Sequence, residues 1–275
     1  MPAAPTETDA SPDSDSSGTA LRRRRRAPRP RARGGLFALQ VVGELVCTVG
    51  AIIVLFVVWQ LWWTNVEADA RQGAVVREFV QDTATPDPAP SPTATAAPKP
   101  GDGPAPVPDQ PGNLAVIGVM YIPRFGEAYA RPVLEGTGRD VLDTLGLGHY
   151  GSTSMPGAPG NFALAGHRQT HGAVLDNIDL LEPGDKIYLQ TKDAYYTYVF
   201  RSSEIVLPDA LDVLLPVPHK PGAKPTESLL TLTTCHPRYG STERFIAYST
   251  LDSWRPTSAG PPPEIAATVA AAQKG

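Results

Sequence analysis

Hydrophobic and polar positions fall into distinct regimes along the chain. Residues 45–66 contain no charge and include the run AIIVLFVVWQLWW. At about 1.5 Å rise per residue such a run makes a helix of roughly 33 Å, long enough to cross the hydrocarbon core of a bilayer. From residue 113 to 254 the pattern changes to short β-type runs punctuated by Gly and Pro: LAVIGVMYI, RPVLEG, NFALAG, KIYLQ, YYTYVFRSSEIV, SLLTLTTC and RFIAYSTL. Strands at this spacing, with turn signals between them, predict an all-β fold, an antiparallel barrel or sandwich. Residues 139–145 and 172–181 read as two short helices.

The remaining stretches lack the apolar content for a core. Residues 1–34 are Ser, Pro, Asp and Arg and read as a disordered basic tail. Residues 36–63 read as a transmembrane signal-anchor, with Trp59, Trp62 and Trp63 at its far end, where indoles favour the membrane boundary. Residues 64–112 read as a stalk, of which 66–80 have the composition of a short helix. The ten prolines between Pro86 and Pro111 make an extended spacer. Residues 255–275 read as a loosely attached tail. A cleavable signal peptide is the rival for the apolar segment, since Ala68-Asp69-Ala70 has the small-x-small form. The apolar stretch is about twice the usual length for that role, and retention as an anchor is expected.

Charge sharpens this division. The chain carries a net −4, but eight of its 24 basic residues lie between Arg22 and Arg33. Residues 1–34 therefore carry +4 and the other 241 carry −8. Arginines ahead of an apolar span fix the amino terminus inside, giving a single-pass type II protein with its domain outside the cell. An acidic domain is no basic nucleic-acid binder, so no nucleic-acid partner is expected.

The chemistry centres on one thiol. Cys47 lies in the apolar segment, leaving Cys235 as the sole cysteine of the exported domain, without an intrachain partner. In SLLTLTTC, alternation sets Leu230 and Leu232 on one face and Thr231, Thr233 and Cys235 on the other. The polar loop HPRYGSTE follows, and Arg244 opens the next strand, so a hairpin brings Arg244 beside Cys235. A thiolate nucleophile needs such a cation and also a proton carrier. His167, ending NFALAGH, shares a face with Asn161, Ala163 and Ala165, opposite Phe162 and Leu164. His149 and His219 lack that framing. His167 and His171 are four apart, but Gly166 and the preceding strand argue against a helix at this place, and no metal site is expected.

A strand ending in His, then TLTTC, then Arg nine residues on, behind an anchor and a Pro-rich stalk, resembles the sortases. The stretches GHYGSTSMPG…GNFALAGHR and HPRYGSTERF are most similar to class E sortases of high-GC Gram-positive bacteria. The resemblance implies an eight-stranded sortase-type β-barrel and a cysteine transpeptidase that needs no cofactor. Its substrates are secreted proteins bearing a C-terminal LPxTG-type signal, LAxTG for class E, cut between Thr and Gly. The threonyl group is then passed to an amine of lipid II or another cell-wall acceptor. Carried onto this chain, Cys235 is the nucleophile, His167 the proton carrier and Arg244 the oxyanion or substrate donor. Thr234 orients the site, and Tyr150 matches a tyrosine implicated in substrate choice. Residues 207–227, with five prolines, correspond to the loop lining the substrate groove. His236 departs from the pattern and leaves open whether Arg244 is the sole cation near the thiolate.

Two other readings of the lone thiol are an L,D-transpeptidase acting on peptidoglycan stems and a non-enzymatic surface module with a buried cysteine. The first fits poorly, because its pattern resembles Ser-His-Gly-Cys followed at once by an apolar residue and Arg.

Overall fold

The computed structural model describes residues 33–84 and 103–274. The expected basic tail and the proline-dense part of the stalk lie outside the described residues, apart from residues 33–34 and the segment after 102. The chain divides into two compact units, residues 1–53 and 54–275. In the first, helix α1 (Arg33–Ala84) begins, and its Leu36, Phe37, Leu45, Ile52 and Ile53 are all exposed. This helix is long and apolar enough to cross a membrane.

The second unit holds eight strands: β1 (Val116–Tyr121), β2 (Ala130–Glu135), β3 (Leu147–His149), β4 (Gly160–Ala165), β5 (Lys186–Gln190), β6 (Ala194–Val206), β7 (Ser228–His236) and β8 (Glu243–Pro256). They close into a barrel in the order β1-β2-β3-β4-β7-β8-β6-β5. The expected eight-stranded all-β barrel is therefore the fold. Two pairings, β2 with β3 and β4 with β7, are parallel, and the others are antiparallel. The interior is filled from alternating positions, including Met120, Val133, Leu147, Phe162, Leu164, Leu189, Tyr196, Tyr198, Leu230, Leu232 and Ala247. Aromatic and β-branched side chains dominate β6 because they pack well on a pleated, buried surface.

Three expectations at the edges of the barrel are corrected. Residues 139–142 form the short helix α2, but of 172–181 only a 3₁₀ turn at Ile178–Leu180 is helical. Residues 171–173 all have φ in the left-handed region, which no right-handed helix accommodates. The segment 64–84 is not a free stalk. It continues α1 and buries Val76, Phe79 and Val80 against Val119, Tyr121, Tyr188 and Tyr195 of the barrel. Farther along, Pro106 and Gly103 give their carbonyls to Tyr196 Oη and Trp254 Nε1. The carboxyl-terminal segment is docked too. Ile265 and Val269, the latter on helix α3 (Ala266–Lys274), are buried in the same apolar cluster as Val76 and Phe79. Both departures have one cause: these stretches carry small apolar stripes that find a partner on the outer face of β1, β5 and β6.

Candidate active site

Three neighbouring strands carry the expected residues in a row. β4 and β7 run parallel with Ala165 paired to Thr233, and Gly166 N donates to Thr233 O at 3.1 Å. His167 and Cys235 each stand two residues beyond that pair, so both project from the outer face at the same level. On the other side of Cys235, β8 is antiparallel and its register partner is Arg244. Adjacent strands lie about 4.8 Å apart, so the three residues span a short distance across β4, β7 and β8.

Thr234 ties this row together. Its side chain is buried on the opposite face of β7, and Oγ1 donates to the Gly166 carbonyl at 2.7 Å. The residue before the cysteine is thus fastened to the residue before the histidine. Tyr150 reaches the same strand, its hydroxyl lying 3.1 Å from Thr233 Oγ1. Arg244 donates from Nη1 to the carbonyls of Ser241 and Glu243, at 2.9 and 2.8 Å, which holds the guanidinium along the loop after the cysteine.

His167 Nε2 is 2.7 Å from Asp143 Oδ1. Asp143 follows α2 directly, and its other oxygen accepts from Arg139 Nε at 3.0 Å. Burial alone would raise the Asp143 carboxyl, but the hydrogen bonds from His167 and Arg139 outweigh it and hold it below the usual carboxylate range. The His171 ring lies beside that of His167, tilted by 33° with centroids 5.0 Å apart. Burial holds the His171 imidazole below its usual value, with Asp143 opposing that trend and His167 adding to it. Asp143, His167 and His171 each offer one metal-ligating atom within 4.8 Å of one another. They do so from a helix end, a strand end and a turn, not from one helix face as HRQTH spacing alone suggests.

His167 and Cys235 open onto one cavity of about 560 Å³, bounded also by Arg168, Arg238 and Tyr239. Arg168 is the functional candidate that sequence reasoning misses. It is only 3% exposed, donates from Nη1 toward His236 Nδ1 at 3.0 Å and pairs with Asp179 at 3.1 Å. Its guanidinium also lies 5.7 Å from the Phe245 ring centroid. Arg168 and Arg238, paired with Asp179 and Asp176, line the cavity of the cysteine, and Arg244 is the register partner of Cys235. Buried arginines are rare enough that no composition rule flags one. Asp143 was likewise invisible, because only the barrel brings the end of α2 to the end of β4.

The other histidines are occupied elsewhere. His149 is fully buried, with Nδ1 2.7 Å from Glu135 Oε2. His219 sits between Asp212 and Glu204 at 2.7 and 2.5 Å, and those hydrogen bonds raise its affinity for a proton. It belongs to the 207–227 connection, which Asn161 fastens to the barrel by donating to the Val213 and Leu215 carbonyls.

A family profile described as Sortase domain matches residues 120–252. Sortase SrtE2 of Streptomyces coelicolor is 35% identical over 226 residues, covering 78% of this chain and 82% of that protein. The chain belongs to the sortase family. Sortases are cysteine transpeptidases, and the class E likeness read from the motifs agrees with these relatives. Sortase SrtE1 of the same organism is 35% identical over 232 residues, 82% of this chain, which spans 60% of that longer relative. Among solved structures, the SrtA sortase from Actinomyces oris is 37% identical with a TM-score of 0.57, over 60% of this chain and 96% of that one. Sortase E from Streptomyces avermitilis is 41% identical with a TM-score of 0.50, over 55% and 96%. Sortase E1 from S. coelicolor, solved with a tripeptide in its active site, is 36% identical with a TM-score of 0.50, over 55% and 96%.

Proposed function

We propose that this sortase is a membrane-anchored, single-pass type II transpeptidase. It cleaves an LAxTG or LPxTG sorting signal of secreted proteins between Thr and Gly and transfers the threonyl end to a cell-wall amine such as lipid II. The observation that carries the reading is that His167, just past the end of β4, and Cys235 on β7 open onto one cavity, with Arg244 the register partner of Cys235 on β8. The tripeptide held by the related sortase E1 supports a peptide as occupant of the corresponding groove. The apolar half of α1 supports the anchor, since its large side chains are exposed and have no other cover among the described residues.

In the proposed reaction Cys235 Sγ attacks the threonyl carbonyl carbon. The sulfur–carbon bond forms, the carbon–nitrogen bond to glycine breaks, and the leaving amine takes a proton from His167. The acceptor amine then attacks the thioester, gives a proton to His167 and releases the thiolate. Arg244 donates hydrogen bonds to the oxyanion of each tetrahedral intermediate or to the substrate backbone. Arg168 and Arg238, each paired with an aspartate, line the cavity beside the thiolate as hydrogen-bond donors. Asp143 holds the His167 ring by its Nε2, and Thr234 keeps acid and nucleophile at a fixed spacing.

Cleavage of fluorogenic LAxTG and LPxTG peptides tests this. Replacing Cys235, His167 or Arg244 by Ala should each lower turnover by about 10²-fold or more with the domain still folded. Full activity of the Cys235→Ala protein would overturn the reading. Crosslinking of stem peptides by the same preparation, without signal cleavage, would point to L,D-transpeptidation.

A further inference from the structure

The loop that follows the candidate acid holds an unfavourable conformation. His171, Gly172 and Ala173 have φ of 55°, 87° and 44°, three consecutive residues in the left-handed region. For the two residues bearing a Cβ this costs about 1–2 kcal/mol each, and such a turn persists only where its surroundings over-determine it. Within the loop, Ala173 N donates to Thr170 O and Leu175 N donates to His167 O. Asp176 N donates to Ala173 O at 2.9 Å and His171 Nδ1 lies 3.0 Å from Thr170 Oγ1, and further polar contacts to the turn come from α1.

Asn65 on α1 uses both ends of its amide. Oδ1 accepts from Gly172 N at 2.9 Å and Nδ2 donates to Gln169 O at 3.5 Å. Two helical turns on, Gln72 donates from Nε2 to His171 O at 3.1 Å. Gln72 is fully buried there, a costly place for an amide. The contact is also tight: a Cβ at position 172 would come within 2.8 Å of Gln72 Nε2, so a larger residue there would have to displace that amide as well as adopt a left-handed φ. Behind these amides, Asp69 pairs with Arg131 at 2.9 Å and Val76, Phe79 and Val80 bury against the barrel. The loop thus fastened carries His171, whose ring stands beside His167 and within 4.0 Å of Asp143.

We propose that Asn65 and Gln72 are positioning residues for the transpeptidation described above: α1, the helix that also carries the apolar anchor, holds loop 168–173 in the conformation that sets His171 and His167 against Asp143. The domain would then be incomplete without residues 65–80, although its barrel begins at residue 116. This rests on the proposed reaction for its catalytic consequence, and on the hydrogen bonds alone for the loop geometry.

The test uses the full chain in detergent micelles, read by signal-peptide kinetics and by amide hydrogen exchange at Gly172. The Asn65→Ala, Gln72→Ala double variant should lose about tenfold in kcat with KM within about twofold, and Gly172 should exchange faster. Asn65→Asp keeps the acceptor for Gly172 N and should retain most of kcat. Arg71→Ala removes only an exposed pair with Glu67 on the same helix and should behave as wild type. Unchanged kcat in the double variant, or an equal loss in Arg71→Ala, would overturn the positioning role. Should the unaltered chain cleave no sorting-signal peptide, the proposed reaction fails, while exchange at Gly172 still decides the loop. Unchanged protection there in the double variant would contradict the inference by itself.

Discussion

Thr234 links nucleophile and acid through a single hydroxyl. Its Oγ1 donates to the buried Gly166 carbonyl, one residue short of His167, from a position one residue short of Cys235. Thr234→Val keeps the shape but strands that carbonyl, which costs about 1–3 kcal/mol. The expected outcome is a lower melting temperature together with a fall in kcat larger than any change in KM. Unaltered kinetics would show that the 2.7 Å bond does not set the His–Cys spacing. Cys235, His167 and Arg244 were legible because a lone exported thiol, a strand-ending histidine and a hairpin arginine each leave a local trace. Arg168 and Asp143 leave none: one is distinguished only by burial, the other only by where α2 ends in space.

At the scale of elements, residues 64–84 of α1 and the carboxyl-terminal helix behave as parts of the domain. Val76, Phe79 and Val80 fall at helical spacing, and Ile265 and Val269 repeat at i, i+4. That stripe was present in the sequence, but beside a proline-dense segment it read as tether, because nothing local says which sheet face lacks a cover. Phe79→Ala should destabilise the domain by about 3–5 kcal/mol, seen as a shifted denaturant midpoint. A loss within 0.5 kcal/mol, the range of a surface substitution, would mean that the helix does not dock there. The 172–181 segment was misread for the converse reason. Its composition suits a helix, but three left-handed residues held by Asn65 and Gln72 break it at the start.

At the scale of the whole molecule, the barrel order places the site. The β7–β8 hairpin was readable from TLTTC and the following loop, whereas the parallel β4–β7 pairing joins segments about 70 residues apart and has no local signal. That pairing puts His167 and Cys235 at one level, and the account depends on it. The most direct measurement is mass spectrometry of the protein trapped during turnover of LAxTG and LPxTG peptides. The account predicts an acyl adduct on Cys235 whose mass ends at the signal's threonine, release of the glycine-led fragment, and no adduct in Cys235→Ala. An adduct on another residue, or signal cleavage that proceeds without Cys235, would contradict it.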